Sequence, residues 1–111
     1  MRKLDISNYT VKVPMPDHEG KLIDAELPYR VKDSILNLMF IKELQLSGAE
    51  LVKQNILAMK IEQCKENEIL LEEDEYLRIK KAVDAFRGFG RNDVGLVERV
   101  TLCPEIDVNQ K

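Results

Sequence analysis

The chain has 111 residues, with 17 Lys and Arg against 20 Asp and Glu, for a net charge of −3. That length fits one domain, residues 1–111, and argues against a multidomain enzyme. Hydrophobic residues at 44% and charged residues at 33% give the balance of a soluble globular chain and exclude a disordered one. The apolar runs fall far short of the roughly 20 residues that cross a bilayer, and no secretory pattern opens the sequence. Two cysteines, Cys64 and Cys103, cannot form a disulfide framework; reduced thiols and a cytoplasmic location are expected.

Residues Tyr9 to Met15 alternate. Tyr9, Val11, Val13 and Met15 share one face, as in a half-buried strand. Pro14 lacks an N–H, so the strand lies at an edge or ends there. Pro16-Asp17-His18-Glu19-Gly20 is turn chemistry. Leu22 to Leu27 is a second strand, with Ile23, Ala25 and Leu27 on one face and Asp24 and Glu26 on the other. The two form a β-hairpin that Pro28 closes. A lone hairpin is marginal in water, so it should pack on helices or pair with another strand.

From Val31 the period becomes helical. Val31, Ile35, Leu38 and Met39 fall in register, and the first helix should end near residues 41–44. Ser47 and Glu50 spell a capping box that opens a second helix over about 48–65. Leu51, Val52, Ile56, Met59 and Ile61 make its apolar face, widened by Leu57 and Ala58. Such breadth suits a central helix or one shared with a second subunit. Residues 65–68 are a polar connection, and Ile69-Leu70-Leu71 leads into the acidic run 72–75, which complements the positive end of a helix dipole. A third helix then runs to Phe86 or Arg87, with Tyr76, Ile79, Val83 and Phe86 on one face. Gly88-Phe89-Gly90 stops it, with a left-handed glycine expected. Asn92 should cap a fourth helix over about 93–102, with Val94, Val97 and Val100 in register. Beyond Pro104, Ile106 and Val108 alternate with Glu105 and Asp107, as a last short strand or an extended tail. The fold class is α+β, mostly α: a β-hairpin region at 1–28, a helical region of about four helices at 31–103, and an extended C-terminus at 104–111.

Catalytic, metal and cofactor chemistry find little support. The single histidine, His18, lies in a turn without a nucleophile beside it. Cys64 and Cys103 stand apart, without CxxC spacing, and read as small hydrophobes. Gly88-x-Gly90 lacks the remaining spacing of a phosphate loop. No catalytic, cofactor-binding or metal-binding residue is therefore assigned, and no small-molecule substrate is evident.

Charge is more informative. Residues 47–76 are net −5, whereas residues 77–91 carry Arg78, Lys80, Lys81, Arg87 and Arg91 against Asp84 alone, net +4. With Phe86 and Phe89 available for stacking, residues 78–91 suit a phosphate-contacting patch. Against that, the helix that would read DNA carries Asp93 and Glu98 with one base, Arg99. Such adjacent, opposite charge blocks also steer association between protein surfaces. The candidate partner-binding residues are Arg78, Lys80, Lys81, Arg87, Phe89 and Arg91.

The layout also carries a resemblance. A short N-terminal hairpin, Leu27-Pro28-Tyr29, a helical middle, Tyr76-Leu77-Arg78-Ile79-Lys80-Lys81-Ala82-Val83 and then Phe86-Arg87-Gly88-Phe89-Gly90 resemble small accessory proteins of tailed bacteriophages and prophages. The resemblance implies a viral protein, in the host cytoplasm or the virion, with a role in assembly or host interaction and no catalytic residues. The expected function is non-enzymatic and works through protein–protein contact, with a protein partner or with itself as a homo-oligomer. The alternative is a nucleic-acid-associated regulator using the basic segment 78–91. No membrane partner is expected.

Overall fold

The computed structural model describes residues 1–106. Its elements run β1 (Arg2–Asp5), β2 (Tyr9–Pro16), β3 (Leu22–Tyr29), α1 (Val31–Leu38), a 3-10 turn (Lys42–Leu44), α2 (Gly48–Gln63), β4 (Glu68–Leu71), α3 (Glu73–Ala85), a second 3-10 turn (Arg91–Asp93) and α4 (Val94–Thr101). The chain is α+β, with four helices and an N-terminal hairpin.

The hairpin keeps the expected faces. β2 and β3 pair antiparallel, with Val11 opposite Leu27, Val13 opposite Ala25 and Met15 opposite Ile23 on one side. Lys12 opposite Glu26 and Pro14 opposite Asp24 fall on the other. Past the tip, the Asp17 N–H donates to the Lys21 carbonyl, so the odd-numbered pairs are the hydrogen-bonded ones. Pro14, Pro16 and Pro28 all take even positions, where a missing N–H breaks no ladder bond. Asp17 Oδ1 accepts from the Glu19 and Lys21 N–H groups, and Gly20 supplies the positive φ, 82°, that the tip needs. β3 continues through Pro28 to Tyr29, two residues past its predicted end.

Two strands went unread in the sequence. β1 and β4 pair antiparallel from Arg2 with Leu71 to Asp5 with Glu68. Ile69-Leu70-Leu71 is thus a strand and not a helix lead-in, with Ile69 and Leu71 turned inward and Leu70 outward. Glu105 forms an antiparallel bridge to Arg2, which extends β1 on its other side. The predicted alternation through Asp107 and Val108 lies outside the described residues.

The helices refine the expected boundaries. α1 stops at Leu38, and the chain turns through Gln45 at φ 50° before α2. Gln54, buried on α2, donates to the Met39 carbonyl and satisfies the end of α1. Ser47 Oγ caps α2 by accepting from the Glu50 N–H at 3.2 Å. The reciprocal half of that box is missing, because the Glu50 carboxylate pairs with Arg78. α3 instead carries the back-bond, with the Glu72 N–H donating to Glu75 Oε1 at 2.8 Å. Beyond α3 neither Gly88 nor Gly90 is left-handed. Gly88 is needed for space, since a Cβ there would sit 2.7 Å from the Phe86 ring. Asn92 does not cap α4; Asp93 orders that turn by accepting from the Gly90 N–H.

The core joins β1, β4 and all four helices. Leu4, Ile35, Met39, Ile61, Leu71, Ile79 and Leu96 are its largest fully buried side chains. Tyr9 and Tyr29 stack at 4.6 Å and pack against this core, while the hairpin beyond them contributes nothing to it. The hairpin is therefore an arm. Its eight-residue strands reach about 26 Å at the usual rise, and the molecule measures 57 × 38 × 23 Å.

Candidate functional site

The arm is held at its base by polar contacts. The Tyr9 hydroxyl donates to the Asn92 carbonyl at 2.7 Å and accepts from the Leu96 N–H at 3.2 Å. The Arg99 guanidinium lies 5.1 Å from the Tyr9 ring centroid. The Tyr29 hydroxyl donates to Asp93, and burial followed by that carboxylate pushes its pKa up. The arm thus leaves the body at a fixed place, the start of α4. Met15, Ile23 and Leu27 remain exposed along its apolar face, Ile23 by 50%.

The predicted contact residues divide. Arg78 is turned inward: it bonds Glu50 at 2.6 Å and Gln54 at 3.2 Å, tying α3 to α2. The Arg78 guanidinium holds the Glu50 carboxyl below its ordinary range. Lys80 pairs with Asp84 one turn on, at 2.9 Å. These two cations serve the protein's own structure. Lys81, Arg87 and Arg91 are exposed and, among the described residues, join no ion pair. Phe89 is half-buried, edge-on to Phe86 at 4.8 Å.

Phe89 and Arg91 border a feature that the sequence reading missed. With Val94, Val97, Glu98 and Leu102 they line a mainly apolar groove of about 580 Å³. Val94, Val97 and Val100 were expected to share the buried face of α4. In fact Leu96 and Val100 are buried, Val97 is half-buried, and Val94 is exposed. Leu102, just beyond the helix, is 74% exposed. The available signal was composition: α4 has apolar residues on two sides, and one set suffices for the core.

α2 shows the same surplus. Its core residues are Gln54, Leu57, Ala58 and Ile61. Leu51, Val52, Ile56 and Met59, predicted as its main packing face, are exposed, Ile56 by 63%. The predicted breadth is present, but its larger part is uncovered.

Other chemistry is sparse among the described residues. No cluster of three or more His, Cys, Asp or Glu side chains is placed to hold a metal ion. No helix is long and apolar enough to cross a membrane. Cys103 is buried, and burial pushes its thiol pKa up; Cys64 is half-buried, and both are unpaired. No protein-family model, curated protein or solved structure matches the chain.

Proposed function

We propose that this is a non-enzymatic accessory protein that works through protein–protein contact, with an assembly or host-interaction role of the tailed-phage type. The carrying observation is the arm: a hairpin fixed at its base by two tyrosines, with an apolar face on which Met15, Ile23 and Leu27 stay exposed among the described residues. Water-exposed apolar faces of this kind mark surfaces that are covered in a complex. The groove on α4 is a second such surface. His18, the only histidine, sits exposed in the arm's tip turn. The nucleic-acid reading is weakened by Arg78 and Lys80, whose charges are spent on Glu50 and Asp84.

The test is binding of mixed-sequence DNA and RNA across salt, for the wild type and for an Arg87→Ala, Arg91→Ala double variant. Negligible binding at physiological salt is expected from both. Nanomolar binding that the double variant loses, with a steep salt dependence and unchanged oligomeric state, overturns the protein-contact reading.

A further inference from the structure

We infer that the cavity at the arm's base binds an organic cation: an ammonium or guanidinium group on a short aliphatic stem. This goes beyond the protein-contact reading and does not rest on it. Tyr29, Leu38, Phe86, Phe89, Asp93 and Leu96 help to line a cavity of about 290 Å³, where the arm, α1, α4 and the segment after α3 meet. Ligand sites commonly span about 300–1,000 Å³, so this one suits a small group.

Charge selects the sign of the ligand. The half-buried carboxylates of the body are Asp5, Glu50, Glu75 and Asp93. Asp5 pairs with Arg99 at 3.5 Å, Glu50 with Arg78 at 2.6 Å and Glu75 with Lys60 at 2.8 Å. Asp93 joins no ion pair among the described residues. Its oxygens accept from the Tyr29 hydroxyl and the Gly90 N–H, both neutral donors. Each carboxylate oxygen has room for a second hydrogen bond, and the start of α4 offsets only about half a charge. The cavity's lining holds no cation that could supply the rest. Arg87 and Arg91 flank this stretch in sequence, but both are exposed and form no part of the wall.

The walls suit the same ligand. Phe86 and Phe89 meet edge to face at 4.8 Å. Aromatic faces attract a cation, and the rings with Leu38 and Leu96 take the stem's apolar surface from water. Ser34 and Asn37, one turn apart on α1, bring a hydroxyl and an amide to the cavity. These are acceptors for the ammonium hydrogens that Asp93 does not take. An anion would be repelled by Asp93, and a neutral apolar molecule would leave that charge unpaired. A basic side chain of a protein partner and a free amine share this chemistry.

The full chain is titrated with n-butylammonium at constant ionic strength and followed by proton–nitrogen correlation spectra. Saturable shifts at the amides of Gly88, Phe89, Asp93 and Leu96 are expected, with a dissociation constant in the millimolar range for so small a ligand. Butanol, of similar length but uncharged, should bind about tenfold more weakly or worse. Asp93→Asn keeps the side chain's shape and should weaken the cation by about tenfold or more. Phe89→Leu keeps apolar bulk, removes one ring and should weaken it by about threefold. Glu62→Gln removes the same charge from an exposed site on α2 and should change nothing. A dispersed spectrum verifies the fold of each variant, and the comparison of butylammonium with butanol stands on the wild type alone.

A capped Gly-Lys-Gly peptide separates the two sources. Shifts of the same amides by the peptide assign a basic side chain of a partner, and shifts by the free amine alone assign a small molecule. No saturable shift from either cation overturns the site. So does equal binding of butanol and butylammonium, or a folded Asp93→Asn variant that binds as the wild type does. None of these results touches the protein-contact reading, which fails by the nucleic-acid outcome above.

Discussion

At the scale of single residues, the polar groups inside the protein hold elements together. Gln54 is the buried example. Its amide nitrogen serves the Met39 carbonyl at the end of α1, and its oxygen accepts from Arg78 on α3. Gln54→Leu keeps the volume and strands the Met39 carbonyl, while Arg78 keeps Glu50, so it should cost about 1–3 kcal/mol in urea unfolding. A loss within error would mean that water replaces the amide at no cost. Ser47 is simpler. Only its hydroxyl acts, so Ser47→Ala should cost roughly 1 kcal/mol.

At the scale of elements, the arm's base makes an unusual demand on α4. Gly95 lies on the helix where Tyr9 crosses it, and a Cβ there would meet the Tyr9 ring at 2.8 Å. Helix propensity alone favours Ala over Gly by about 1 kcal/mol. The clash reverses the sign: Gly95→Ala should destabilise by roughly 1–3 kcal/mol, because the ring it displaces holds the arm. A more stable Gly95→Ala variant would show that the tyrosine yields freely.

The same crossing explains what the sequence could and could not reveal. The hairpin, the four helices and the Ser47 cap were legible because their signals are local: alternation, helical spacing and a hydroxyl three residues before a free N–H. β1 and β4 were not legible. Each is four residues long, and each becomes a strand only by meeting a partner far along the chain, Arg2 with Leu71 at one end and Asp5 with Glu68 at the other. Which side of α2 and α4 is buried was also hidden, since both helices carry more apolar residues than one face can use. The inward turn of Arg78 depends on Glu50 and Gln54 arriving from another helix, so a run of positive charge read along the chain overstated the free patch.

At the scale of the whole molecule, the arm gives the protein its dimensions and ion pairs close its ends. The radius of gyration is 16.3 Å, whereas a compact chain of this length would be about 13 Å. Across the body, Arg2 bonds both carboxylate oxygens of Glu73, at 2.9 and 3.2 Å, and donates to the Cys103 carbonyl at 2.9 Å. It also lies 4.5 Å from the Tyr76 ring centroid. One side chain on β1 thereby joins the start of α3 to the segment after α4. The Arg2 hydrogen bond holds the Glu73 carboxyl below its ordinary value of 4.5, and Arg78 does the same for Glu50. A carboxyl depressed by folding contributes stability fully above its unfolded pKa and loses it as pH falls through the folded one. The urea midpoint should therefore hold level from neutral pH to about pH 5 and decline below that. Glu73→Gln should lower the midpoint at neutral pH and shallow the acid decline, because one of the depressed carboxyls no longer titrates. Tracking the midpoint from pH 7 to pH 3 for both chains checks it. A variant curve that merely runs parallel to the wild type would place the acid sensitivity elsewhere and leave Arg2–Glu73 as packing without electrostatic consequence.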